Sequence, residues 1–144
     1  MIIQRRRLCI GALSLVPCLA PAPSGIPTAS ASAPPVVALS VSYSHVGPLQ
    51  LRATLNCRTG MQRATGFLAR HSAALLCRRA RLLRSFLASI PDPRRLCSQI
   101  YGGPDRALIA GTIGGIRIGR HFARTDGCKT SDWNRARLLL PPVP

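Results

Sequence analysis

At 144 residues the chain has the length of one domain, and nearly half of it is apolar, enough for a core. A formal net charge of +16 stands on 20 basic residues against only 4 acids, all Asp, so paired-carboxylate catalysis is thinly supplied. The aromatics (Tyr43, Phe67, Phe86, Tyr101, Phe122 and Trp133) are few and are not interleaved with the arginines, which argues against a single-strand nucleic-acid platform.

The chain opens as an export signal. Arg5, Arg6 and Arg7 form a positive region, and Leu8 to Ala20 form an apolar run too short to span a bilayer as a helix. A Pro/Ser/Ala-rich stretch follows, in which Ala29-Ser30-Ala31 has the small-x-small form of a cleavage site. We therefore expect a signal peptide over 1–31 and a secreted domain over 32–144. Leu15-Val16-Pro17-Cys18 is a poor lipoprotein box, because Pro17 stands where a small residue belongs. No membrane attachment is expected after cleavage.

Val36 to Ser42 is β-branched and apolar and reads as a strand; Gly47-Pro48 marks a turn. Leu49 to Cys57 alternates, with Leu49, Leu51, Ala53, Leu55 and Cys57 on one face, the pattern of a half-buried strand. Arg58 to Gly66 reads as a polar connection. Phe67 to Ala88 reads as one helix with Thr65 as candidate N-cap, and Pro91 and Pro93 stop it. Arginines 70, 78, 79, 81 and 84 form its solvated face. Next comes Cys97-Ser98-Gln99-Ile100-Tyr101-Gly102-Gly103-Pro104, which has neither helical nor strand period and ends in a turn signal. Arg106 to Ile113 and Ile116 to Phe122 are β-rich runs joined by Gly114-Gly115, a hairpin signal. Phe122-Ala123-Arg124-Thr125-Asp126-Gly127-Cys128 reads as a turn, and Leu138 to Leu140 as a final apolar run. Hairpin-joined strands around a helix predict an α+β domain with an antiparallel sheet.

Cys57, Cys77, Cys97 and Cys128 remain after the signal, an even number in a small exported chain. Four cysteines allow three pairings; sequence order suggests Cys57–Cys77 and Cys97–Cys128. No two cysteines have the close spacing of a zinc site, so no metal is expected. His45, His71 and His121 accompany no nucleophile elbow and no His-Glu-x-x-His motif. Neither enzymatic activity nor a cofactor is expected.

With these features the chain resembles the Streptomyces subtilisin inhibitor family, small exported serine protease inhibitors of actinobacteria. The likeness rests on four cysteines in this order, the Cys-x-x-x-Tyr loop with Pro104 beyond it, the Gly-rich hairpin, and Asp126-Gly127-Cys128. It implies the two disulfides above, a five-stranded antiparallel sheet with two helices, and a homodimer packed through its sheet. It also implies a reactive bond at Gln99–Ile100, supported by Cys97, Tyr101, Pro104, Asp126 and Cys128. Tyr101 would lie beneath or beside the loop, and Asp126 would stand where the family places a bracing amide. Gly102-Gly103 makes the segment after Tyr101 one residue longer than is usual there. The partner would be a subtilisin-like serine protease. A different reading of the same basic chain is an exported domain that binds an anionic cell-surface partner without inhibiting a protease.

Overall fold

A computed structural model describes residues 36–46 and 50–143, all within the unit Ser32–Pro144. The signal peptide and the Gly47-Pro48 turn lie outside the described residues. A five-stranded antiparallel sheet runs in the order β3-β2-β1-β4-β5, with β1 Val37–Ser44, β2 Gln50–Arg58, β3 Met61–Ala64, β4 Gly103–Ile113 and β5 Ile116–Arg124. Alternation fixes which side is wet. Val37, Leu39, Val41 and Tyr43 of β1 are buried, while Ser40 and Ser42 between them are exposed. In β2, Ala53, Leu55 and Cys57 point inward as the pattern predicts, and Leu51 lies at the margin, partly exposed. Gly114 and Gly115 take positive φ (55° and 79°), the conformation a two-residue hairpin demands, and close β4 onto β5.

All helices cover one face of the sheet. They are α1 Ala73–Leu82, α2 Arg84–Ala88 and α3 Gly127–Ala136, with short 3-10 turns at Gly66–Arg70 and Arg137–Leu139. Leu76, Cys77 and Ala80 of α1, Leu87 of α2, and Trp133 and Ala136 of α3 join the inward strand residues in one hydrophobic cluster. Trp133 meets Tyr43 edge-on with ring centroids 6.3 Å apart. The Cys57–Cys77 disulfide ties β2 to α1 within this core.

Several expectations need correction. The polar connection from Arg58 to Gly66 contains β3, an edge strand paired with Leu55–Arg58. Met61-Gln62-Arg63-Ala64 shows no apolar alternation because this edge strand buries little, with only Ala64 packed against the core. The single helix expected over 67–88 is a 3-10 turn followed by two helices. Ser72 breaks the run in extended conformation, and Leu83 breaks it again. Leu68, Leu76, Leu83 and Leu87 still face the sheet, but Leu75 points outward. Thr65 caps no helix; its hydroxyl accepts the Thr54 N–H. The solvated arginine face holds for residues 78, 81 and 84, whereas Arg70, though exposed, donates to the Leu140 carbonyl and Arg79 to the Arg135 carbonyl. Finally, the segment read as a turn followed by a tail is α3. Asp126 caps it by accepting the Lys129 N–H at 2.9 Å.

Candidate functional site: a braced, exposed loop

Residues 89–102 connect α2 to β4 without helix or strand. A loop of this length in a small domain is usually functional or disordered, and this one is tied down at several points. Its apolar side chains point away from the core: Ile90 is 90 % exposed, Leu96 98 %, Ile100 68 % and Tyr101 63 %. Four large apolar side chains held in water along one loop are available for contact with a partner.

The braces come from the start of α3 and the end of β5. The Cys97–Cys128 disulfide holds one flank. Next to it, the Gly127 N–H donates to the Ser98 carbonyl at 2.9 Å. On the far flank the Gly102 N–H donates to the Arg124 carbonyl at 2.7 Å. Gln99, Ile100 and Tyr101 lie between these ties and are all exposed. Gly127 packs closely on Ser98, so a side chain there would have to turn the Ser98 hydroxyl aside.

Two aspartates organise the arginines beneath. Asp132 on α3 takes both guanidinium nitrogens of Arg95 in the loop, each at 3.2 Å. It also takes Arg120 Nη2 at 2.9 Å. Arg120 is buried, lies 4.1 Å from the Phe86 ring centroid, and donates from Nη1 to the Phe86 and Ser89 carbonyls at 2.7 Å each. It thereby pins the end of α2, where the loop departs. On the far flank Asp105 is 1 % exposed. It accepts the Tyr43 hydroxyl at 2.7 Å and Arg124 Nη1 at 2.9 Å, and His45 Nδ1 lies 2.8 Å away. Arg124 thus ties the loop through its carbonyl and the core through its guanidinium.

Burial pushes the Asp105 carboxyl up, but hydrogen bonds from Tyr43, His45 and Arg124 outweigh it and hold the group below the usual carboxylate range. Its contribution to stability is therefore present at neutral pH and is lost only in strong acid. Burial and the Asp105 charge push the Tyr43 phenol up to about 12. The unfolded phenol ionises near pH ~10, so stability will fall as pH rises from there toward the folded value. Alkaline melting should show this loss in the native chain and not in Tyr43→Phe.

The structure brings most residues expected at the site together around this loop. Pro104 lies within β4, where the ladder with β5 shifts register between Gly103 and Arg106. Tyr101 is too exposed to lie beneath the loop. Among the described residues Asp126 makes no hydrogen bond to the loop, although its carboxylate lies within 4.8 Å of the Cys97 sulfur. It pairs with Lys129 Nζ at 2.8 Å and caps α3, which positions Gly127 and Cys128. Sulfur atoms of Cys97 and Cys128 lie near the Asp126 carboxylate, but they are bonded to each other and offer no thiolate to a metal. Sequence reasoning missed Arg95, Asp105, Arg120, Arg124, Gly127 and Asp132, together with outward-pointing Leu96. The available signal was scarcity: in a chain with four acids, each acid is surrounded by candidate partners.

No family model matches the chain, and no curated protein matches it. Among solved structures it is similar to a chain of the crystal structure of Streptomyces caespitosus sermetstatin in complex with Bacillus licheniformis subtilisin, at 18% identity. The match covers 66% of this chain and 88% of that one, with a TM-score of 0.38.

Proposed function

We propose that the protein is an exported inhibitor of subtilisin-like serine proteases, with Gln99–Ile100 as the bond offered to the enzyme. The observation that carries this reading is the loop itself, tied on both sides of an outward-facing Gln99-Ile100-Tyr101 segment. A protease reads substrate as an extended strand, and a loop already held near that shape avoids the ordering cost a flexible peptide meets. After cleavage, the disulfide and the hydrogen bonds to Gly127 and Arg124 would keep both new ends in place, so religation competes with release. Two disulfides fit an oxidising compartment. Leu96, three residues before Gln99, supplies a second apolar anchor. Gln99 lacks the charge a trypsin-like pocket selects.

The test is titration of subtilisin with the oxidised 32–144 domain. Stoichiometric inhibition is expected, with much weaker inhibition of trypsin. Gln99→Pro should abolish inhibition, and Leu96→Ala should weaken it roughly 10-fold, as expected for losing about half of a buried leucine's ~1.5–3 kcal/mol. Absence of subtilisin inhibition by folded, disulfide-bonded protein, or tighter inhibition of trypsin, would overturn the reading.

A further inference from the structure

The helices cover only one face of the sheet. The open face carries Arg63 on β3, Arg52 on β2, Arg106 on β4 and Arg117 on β5, all exposed. Among the described residues none of these guanidinium groups pairs with a carboxylate. The sequence has only four acids, and none stands on this face: Asp105 points into the core, Asp126 and Asp132 belong to the α3 region, and Asp92 lies in the loop. The residues between the arginines are small or polar: Ser40, Ser42, Thr54, Asn56, Ala110 and Thr112. Strand spacing and rise place the four arginines over a patch roughly 20 Å across. A groove of about 790 Å³ begins beside this face at Ser42, Gln50, Arg106 and His121 and runs toward the loop, where Asp92, Asp126 and Asp132 line it, so the acid-free surface ends at the groove.

We propose that this open face docks a flexible polyol-phosphate polymer, a chain of phosphodiesters without bases. Exposed guanidinium groups recognise phosphate by paired hydrogen bonds, and the Ser42 and Thr112 hydroxyls between them are additional donors, whereas Ser40 is turned to the Ala110 carbonyl and Thr54 to Thr65. Among the described residues the face carries no Phe, Tyr or Trp on which a nucleobase could stack, only the His121 imidazole, and its larger apolar side chains, half-buried Leu108 and exposed Met61, stand on strands separated by β2 and β1 and form no continuous wedge for a bilayer. The same charge opposes the homodimer implied by the family resemblance. Packing this face on a second copy would double the arginines and add no acid, and unpaired charge at the centre of an interface is costly.

The experiment measures binding of the 32–144 domain to poly(glycerol phosphate) across a salt series, with an oligo(dT) of equal charge, anionic vesicles and sedimentation as parallel arms. Four phosphate contacts predict a slope of log affinity against log salt of about −3. Arg52→Gln/Arg106→Gln/Arg117→Gln should reduce that slope to about −1 and the affinity at least ~10-fold, leaving subtilisin inhibition unchanged. Arg78→Gln/Arg81→Gln/Arg84→Gln removes equal charge from the helical side and should cost less than about threefold. Equal losses in the two triple variants would reduce the effect to net charge and overturn the proposal. So would tighter binding to oligo(dT) or vesicles, or a dimer that the sheet-face variant dissociates. A domain that fails to inhibit protease but binds the polymer through this face would leave the proposal standing and remove the inhibitor reading alone.

Discussion

Asp105→Ala will lower the melting temperature by roughly 15 °C, corresponding to about 3 kcal/mol in a domain of this size. The reason is the company this carboxylate keeps. It is buried and receives Tyr43 and Arg124 directly, with His45 adjoining. Removing it strands the Arg124 guanidinium and leaves the Tyr43 hydroxyl without its acceptor, and an unpaired buried partner costs more than the original pair contributed. The change should also reach the loop. Arg124 holds the Gly102 N–H through its carbonyl, and a freed Arg124 gives that tie less to stand on. Inhibition of subtilisin should therefore weaken several-fold even at temperatures where the variant is fully folded. Asp105→Asn keeps an acceptor for Tyr43 and should lose about half as much. Thermal melts at neutral pH measure the first effect, and titration at 10 °C the second. A melting point within two or three degrees of the native chain would show that the cluster adds little.

Cys97→Ser/Cys128→Ser will have the second large effect, and its signature is different. The bridge spans 31 residues, for which chain entropy predicts roughly 3 to 4 kcal/mol of stability. A comparable loss is expected from Cys57→Ala/Cys77→Ala, whose bridge spans 20 residues inside the core. The two variants should part company against the protease. Freeing Cys97 releases the residues leading into Gln99, and reordering about three of them costs ~3 kcal/mol, or on the order of 100-fold in affinity. The variant should also be cleaved and released as an ordinary substrate. The core variant, studied below its melting temperature, should inhibit almost normally, because its bridge does not touch the loop. Comparing inhibition constants and cleavage products of the two variants decides the matter. Equal inhibition would mean that the hydrogen bonds to Gly127 and Arg124 suffice without the sulfur bridge.

Large parts of the fold were legible in the residues. Alternation in Leu51–Cys57 shows the wet and dry sides of β2, and Gly114-Gly115 announces the hairpin, because a two-fold period and a positive φ leave direct marks on residue choice. β3 and α3 left weaker marks. An edge strand buries little, and α3 starts from a single capping aspartate followed by a glycine, so neither carries a strong period. The loop was legible from its cysteine, its turn residues and its lack of period.

Residue types and spacing alone thus determined the α+β class, the neighbour-to-neighbour cysteine pairing as the preferred choice, and the place of the exposed segment. Tertiary structure decided which groups hold that segment. Arg95, Arg120 and Arg124 looked like part of a general surplus of positive charge, yet they meet Asp132 and Asp105 across long chain separations. It also decided that Arg52, Arg63, Arg106 and Arg117 share an open face free of acids, which depends on strand order and register. The physical reason is range: periodicity and turn chemistry act between neighbours in the chain, whereas ion pairing acts between neighbours in space.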